Sequence, residues 1–440
     1  MKFKVAFASL GCSKNLVDSE IMLGLLKDHG YVITNEFAHA DVIIVNTCGF
    51  ILPAKQESID TILSLAEYKI TGKCKMLVVT GCLVQKYRQE LLEEIPEIDG
   101  VLGTSDFREI GTLLDTKLKS SSLHDLDPDR FSYENRYLTT PRHTAYVKIA
   151  EGCDNRCTFC LIPELRGGYQ SRPMESIILE ARKLVSLGVK EINLIAQDTT
   201  SYGEDLYGER KLPELLERLA QEKIAWIRVL YCYPVRISPE LLKVMGKYPN
   251  ICRYLDMPIQ HSDDHILKKM GRKEHREFLE QLIKRIRNTM PDIALRTTLM
   301  VGFPGETEEQ YQSLLDFVSE QKFDWLGVFT YSQEEDTPAA SLPEQIPEQI
   351  KEDRYHRLMS LQSQISLEEK QKWIGKTISV LIEGKSSDNP EYFIGRSQYQ
   401  APDVDGVVFI KGDLLQIGDL VQVIITGADV YDLIGEIKEK

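Results

Sequence analysis

The sequence predicts an α/β protein in three parts: an N-terminal parallel α/β sheet, a central partial (β/α)6 barrel, and a small antiparallel β-barrel at the C-terminus. Three observations predict it. Apolar runs of strand length alternate with amphipathic helical stretches from Phe3 to Glu94, the pattern of parallel strands joined by helical crossovers. The alternation resumes from Ala145 to about Phe329 as six strand–helix units, enough for part of a barrel. From Lys376 to Lys440 the chain turns to short alternating strands separated by Gly, Asp and Asn, as in a small all-β barrel.

The chain has 440 residues, room for two or three domains. The expected divisions are 1–118, a polar linker over 119–142, 143–370 and 373–440. The linker is read from Lys119 to Asp129, which is turn-forming and charged. No apolar run is long enough to span a bilayer, and the N-terminus reads directly into a strand rather than a signal peptide. Nine cysteines is an odd number at no disulfide spacing. The reducing cytoplasm is therefore the expected compartment, with the cysteines as ligands or core thiols. The net charge of −14 opposes nucleic-acid binding globally, though a local basic patch would permit it.

Residues 3–8 read as the first strand, followed by a helix from Val17 to His29. Asp41–Thr47 is a near-continuous apolar run, which suits a buried parallel strand. A helix from Pro53 to Tyr68 follows, with Pro in its first turn. Lys75–Thr80 is a third strand and Val84–Glu94 a helix. Cys12, Cys48 and Cys82 each fall just past the end of one of these strands. Parallel strands place all their C-terminal ends on one edge, and ligands bind there. Three distant cysteines thus converge on one site, or else they are three core thiols, since a free Cys packs like a small hydrophobe.

The barrel strands are expected at Tyr146–Ala150, Glu191–Ile195, Ile227–Tyr231, Cys252–Met257, Leu295–Val301 and Trp325–Thr330. After the first comes Cys153, Cys157 and Cys160 in a C-x3-C-x2-C spacing, with Gly152 before and Pro163 after. Three converging thiolates want a soft metal. Structural zinc needs a fourth ligand, and no Cys or His lies nearby in sequence. An iron–sulfur cluster is the other thiolate site, and three ligands on a four-iron cluster leave one iron open. Further candidates sit near strand ends: Gln197 and Asp198, Gln260 and His261, Arg296 on the fifth strand, and the turn Gly302–Glu306 with Gly305. His261 reads equally as a proton carrier or as a packed histidine. Cys74, Cys232 and Cys252 read as core thiols, and His124 and His143 as solvated. A polar helix from Ile350 is expected to bridge to the last domain.

With Phe159 before its third cysteine, C-x3-C-x2-C resembles the signature of the radical S-adenosylmethionine (SAM) enzymes. That resemblance implies a 4Fe–4S cluster whose open iron chelates SAM, and a 5′-deoxyadenosyl radical that takes hydrogen from an unactivated carbon. It places SAM contacts at Gln197, Asp198, Gln260, Arg296 and Gly305. Leu10–Glu20 and Asn46–Ile51 resemble the N-terminal domain of the methylthiotransferases. So do Tyr231–Pro234 and Met257–Asp264 in the barrel. This implies a second 4Fe–4S cluster on Cys12, Cys48 and Cys82 that takes part in sulfur delivery, together with an external electron donor and a sulfur source. The last barrel, placed after such a core, resembles the TRAM domain, which is OB-like. RNA binding would need a basic face, but residues 376–440 carry six basic and eleven acidic residues, net −5. That suits a basic protein partner. Gly395–Gly406 resembles the branch of the family that modifies an aspartate β-carbon of ribosomal protein S-twelve. The alternatives are a tRNA methylthiotransferase acting on isopentenyladenosine beside the anticodon, and a non-catalytic RNA- or ribosome-binding protein with structural metal sites.

Overall fold

The computed structural model describes residues 3–116, 136–412 and 415–438. In the N-terminal part the strands are β1 (Lys4–Ser9), β2 (Val32–Ile33), β3 (Val42–Thr47), β4 (Met76–Gly81) and β5 (Gly100–Leu102). They form one sheet in the order β2-β1-β3-β4-β5, parallel throughout. The edge strands β2 and β5 escape a sequence reading because two or three residues carry no periodicity. The crossovers include α1 (Ser13–Asp28), α2 (Leu52–Ala66) and α3 (Cys82–Glu94). In the register, Asn46 pairs with Ser9 and with Thr80, so β1, β3 and β4 end level with one another.

The central part has six parallel strands in chain order: β6 (Thr144–Lys148), β7 (Glu191–Ile195), β8 (Trp226–Val229), β9 (Tyr254–Asp256), β10 (Ala294–Val301) and β11 (Trp325–Thr330). They make two three-stranded halves, joined by a single parallel bridge between Ile227 and Ile251. The result is an open barrel. Its outward residues, among them Val147, Leu194, Val229 and Leu295, pack under the surrounding helices. Its inward Tyr146, Trp226, Tyr254 and Trp325 instead share a core with Val17 and Ile21 of α1 and with Leu381 and Ala401 near the C-terminus. The polar helix expected to bridge onward is α4 (Glu348–Gln371). It is a barrel helix, with Leu358 and Ile365 buried in the barrel core.

The last five strands are β12 (Thr377–Lys385), β13 (Tyr392–Ser397), β14 (Val408–Lys411), β15 (Leu420–Ala428) and β16 (Leu433–Ile437). They close into a barrel in the order β12-β13-β14-β16-β15. Four seams are antiparallel as expected, but β14 and β16 pair in parallel. The cause is topological: β15 comes between β14 and β16 in the chain but lies outside the pair in the barrel, so the chain reverses twice and β16 runs the same way as β14.

The loop after β13 enters the open barrel at the N-terminal ends of its strands. Arg228 donates to the Gln398 carbonyl at 2.9 Å and Trp325 Nε1 to the Tyr399 carbonyl at 2.8 Å. The Tyr146 hydroxyl donates to Asp403 and that of Tyr254 to Asp405. Beneath them Glu191, fully buried, sits between Arg228 at 2.9 Å and Arg396 at 2.6 Å. Burial pushes the Glu191 carboxyl up, but the two guanidinium groups outweigh it and hold its pKa down at about 2.

Two expectations change here. His143 is not solvated: it is 2% exposed, with Nε2 3.6 Å from Glu383 of the closed barrel. The stretch expected as a linker is anchored where the structure describes it, since Arg136 pairs with Glu180 at 2.9 Å and with Glu20 of α1. His124 lies outside the described residues. Cys74, Cys232 and Cys252 are buried, as read from the sequence.

Candidate active site

Level strand ends bring Cys12, Cys48 and Cys82 to one edge of the N-terminal sheet. Cys12 caps α1 and Cys82 opens α3; Cys48 directly follows β3 and is held by Ser58, whose hydroxyl bonds both its N–H and its carbonyl at 3.0 Å. Gly11 lets the strands' loops close up: at φ +85°, a Cβ there would stand 2.9 Å from Cys48 Cβ. Burial pushes the Cys48 thiol up to about 11, and the neighbouring thiols Cys82 and Cys12 add to this. Burial likewise raises Cys82 against the pull of Arg166. Cys12 is exposed as a residue, yet packing at its sulfur pushes the thiol up. Lys14, Arg166 and the N–H groups of Asn15 and Lys14 outweigh that and lower it.

The second cysteine set lies in a loop clasped at its base, where Ala150–Glu151 pairs antiparallel with Gln170–Ser171. Cys153 N–H donates to the Gly167 carbonyl at 3.1 Å. Thr158 pins the middle: its N–H donates to Met270 at 2.9 Å, its hydroxyl to Lys269 at 2.8 Å, and its carbonyl accepts from Ala339 at 2.9 Å. Phe159 meets Phe303 edge-on. Burial pushes Cys153 up to about 11 and Cys160 to about 12, and the neighbouring thiols add to both. Such thiols are inert until a metal takes the place of the proton. Among the described residues, no three His, Cys, Asp or Glu side chains converge on a single-ion position.

Asp198 sits 1% exposed below this loop. Its carboxylate accepts from Asn155 at 3.0 Å, Arg236 at 2.7 Å, Ser201 at 2.9 Å and Thr200. Oδ2 thus holds the loop through Asn155, while Oδ1 is taken up by Thr200 in its own turn. Gln197 differs: its amide donates to Glu151 at 2.7 Å, while its carbonyl oxygen is buried without a partner. Gln260 has φ +72°, rare for a residue with a side chain, and grips β10 through Thr298 and Met300. Arg296 is taken up by Asp256 at 3.1 Å and by Asp405 of the closed barrel at 3.4 Å. Gly305, at φ +76°, turns toward Lys269 and Glu344. His261 is fully buried: Nδ1 accepts from Asp263 N–H at 2.9 Å, so Nε2 bears the proton and meets Glu306 at 3.1 Å. That is a packed histidine bracing the 302–306 turn, with Arg354 on the other oxygen of Glu306 at 2.8 Å.

The two cysteine sets face each other. Cys82 packs on Leu161 and Leu165, directly after Cys160. Arg166, in the same barrel loop, reaches Asp18 of α1 at 3.1 Å and Glu151 at 3.0 Å, and donates to Asn15. Lys148 bridges the same two carboxylates. At the rim Lys55 pairs with Glu334 at 2.6 Å, and Lys86 with Asp336 at 3.0 Å. None of Asn15, Asp18, Lys148 or Glu151 stands out in sequence as a site residue. The one available signal is polar residues inside otherwise apolar segments.

Family models match three stretches of the chain: "Uncharacterized protein family UPF0004" over residues 4–103, the radical SAM superfamily over 147–318, and the TRAM domain over 374–437. The chain is 52% identical to "Ribosomal protein uS12 methylthiotransferase RimO" of Desulforamulus reducens, covering 99% of both chains. The proteins of that name from Clostridioides difficile and Geobacter sulfurreducens are 52% and 49% identical, each over 99% of this chain and 98% and 99% of their own. The chain belongs to the RimO methylthiotransferase family. Among solved structures, the radical SAM methyltransferase TsrM of Kitasatospora setae superposes with TM-score 0.57 at 15% identity, over 89% of this chain and 82% of its own. OxsB, a cobalamin-dependent SAM radical enzyme, gives 0.51 at 14% identity, over 83% and 56%. At such identities these two show the fold alone. For a RimO-family chain, the facing cysteine sets are the feature to explain.

Proposed function

We propose that the protein inserts a methylthio group at the β-carbon of an aspartate in small-subunit ribosomal protein S-twelve. The observation that carries this reading is the apposition of Cys82 with the Cys153–Cys160 loop, across which Arg166 reaches Asp18 and Asn15. In it, Cys153, Cys157 and Cys160 hold one 4Fe–4S cluster with SAM on its open iron, and Cys12, Cys48 and Cys82 hold a second. When bound, these groups supply a carbon radical, a sulfur centre and a methyl donor, chemistry that no side chain offers toward an sp3 C–H bond.

The residues present fit those groups. Six thiols lie in two sets of three, neither of them a single-ion position among the described residues, and the buried carbonyl oxygen of Gln197, with no partner among those residues, is left to accept from a bound group. Gln197, Gln260 and Gly305 are the SAM contacts in this reading, while Asp198 and Arg296 act by holding the loop and the barrel. The division of labour follows 1–118 for sulfur, 143–370 for radical chemistry and 373–440 for the substrate, with 119–142 between.

Docking of the basic ribosomal protein falls to the outer face of the closed barrel. Its acidity is smaller than the net charge suggests, because Glu383 pairs with Arg396 and Asp405 with Tyr254 and Arg296. Asp388, Glu391, Asp419, Asp429 and Glu436 remain exposed. Among the described residues no helix is long and apolar enough to cross a membrane, and the proposed place of action is the cytoplasm. An external electron donor and a sulfur source complete the reaction. The test is to give reconstituted enzyme, SAM and reductant the isolated ribosomal protein and, separately, isopentenylated tRNA. A methylthio mass increment on an aspartate of the protein alone is expected; an increment on the tRNA alone overturns the substrate.

A further inference from the structure

Lys14 is a buried cation with no carboxylate partner among the described residues, its charge favouring only the Cys12 thiolate two residues back. It is 7% exposed, and among the described residues its ammonium has neither a carboxylate nor a hydrogen-bond acceptor. What it touches is the face of Tyr231, 3.3 Å from the ring centroid. A cation–π contact returns only part of the hydration that a buried ammonium gives up.

The other cations around it are all committed. Arg166 and Lys148 share Asp18 and Glu151. Arg236 is on Asp198, and Arg272 is on Glu274 and the Pro258 carbonyl. Among the described residues of this group, Lys14 has no carboxylate partner.

Its place is the seam between the two halves of the site. It lies two residues after Cys12, at the edge of the N-terminal sheet, and its tip rests on Tyr231, the second residue after β8, at the C-terminal mouth of the open barrel. Tyr231 is fixed there at φ +61°. Its N–H donates to Asp256 at 2.9 Å and its carbonyl accepts from Thr199, next to Asp198, at 3.1 Å. A side chain held in the left-handed region marks a built position.

We infer that Lys14 binds the side-chain carboxylate of the substrate aspartate, and so selects an acidic residue and presents its β-carbon between the two cysteine sets. This rests on the function proposed above. The ammonium is a compact point charge on a flexible stem, suited to one carboxylate. Water excluded by α1 and the barrel strengthens the pairing. A site that pairs Lys14 with the substrate carboxylate disfavours the neutral isostere, asparagine, whose carbonyl can accept from the ammonium but brings no charge to it.

The test uses the reconstituted holoenzyme with SAM, and the ribosomal protein carrying either aspartate or asparagine at the target position. Dissociation constants and KM are measured for wild type, Lys14→Met and Lys14→Arg, with iron content and cluster spectra recorded for each. Wild type is expected to favour the aspartate form about ten- to a hundredfold, as a charge-assisted hydrogen bond would. Lys14→Met should bring that ratio close to one by weakening the aspartate form only, and Lys14→Arg should restore part of it. Lys14→Met that retains the preference overturns the inference. So does equal loss of both forms with an altered cluster spectrum, which would make Lys14 a partner of Cys12 instead. Wild type that modifies no aspartate in the ribosomal protein would sink the function itself, a distinct failure.

Discussion

Arg166 and Asp18 form a buried ion pair, 3.1 Å from Nη1 to Oδ2, that joins the loop after Cys160 to the helix after Cys12. Asp18 also takes Lys148, and Glu151 takes both cations. Two carboxylates and two cations thus neutralise one another out of contact with water. Removing one member leaves a charge that nothing else compensates.

Asp18→Asn should therefore cost about 3–5 kcal/mol of stability. Denaturant titration of the variant against wild type measures it. Because the quartet spans the seam, the same variant should loosen the N-terminal part first, seen as faster amide exchange in α1 while β7 and β8 stay protected.

The two cysteine sets should separate genetically. Cys157→Ala is expected to abolish reductive SAM cleavage. Cys48→Ala is expected to retain cleavage and lose sulfur insertion, since it sits on the other side of the seam. Product analysis by mass spectrometry and 5′-deoxyadenosine release read the two outcomes, and parallel loss of both activities in both variants would dissolve the two-site arrangement.

The cysteine sets were legible because their logic is local or topological. C-x3-C-x2-C is visible as spacing, and Cys12, Cys48 and Cys82 follow from where parallel strands end. What surrounds them was not. Helix α1 is buried on nearly every side, Lys14, Asn15 and Asp18 included, because it is pressed between its own sheet and the open barrel. An amphipathic reading assumes one wet face and assigns such residues to it. Arg296 shows the same limit. Its strand was readable, but its second partner, Asp405, arrives from the C-terminal barrel. His143 was misread for the same reason, since Glu383 and the barrel above it cover an otherwise ordinary loop histidine.

Gln197 and Asp198 are adjacent yet should fail differently. Asp198→Ala removes the acceptor that ties Asn155 and Arg236 beneath the cysteine loop, so iron content should fall. Gln197→Ala removes a side chain whose carbonyl has no protein partner; its iron content should stay normal while the KM for SAM rises by about tenfold, the worth of one hydrogen bond. Iron analysis with SAM-cleavage kinetics separates the two.

Glu191 sets how the closed barrel stays docked as pH falls. Its carboxyl lies near 2 in the folded protein, held down by Arg396 and Arg228 against burial, and near 4.3 in an unfolded chain. The unfolded state therefore takes up the proton first. The stabilisation from this carboxylate is complete above about pH 5 and is lost as pH drops through 4 toward 2. Glu191→Gln should remove that share at neutral pH, leaving Arg228 without its carboxylate and Arg396 with Glu383 alone, a loss of about 3–5 kcal/mol. Thermal unfolding from pH 7 down to pH 3 measures both effects. The wild-type midpoint should fall with acid more steeply than that of the variant, and equal slopes would show that Glu191 is not what couples docking to pH.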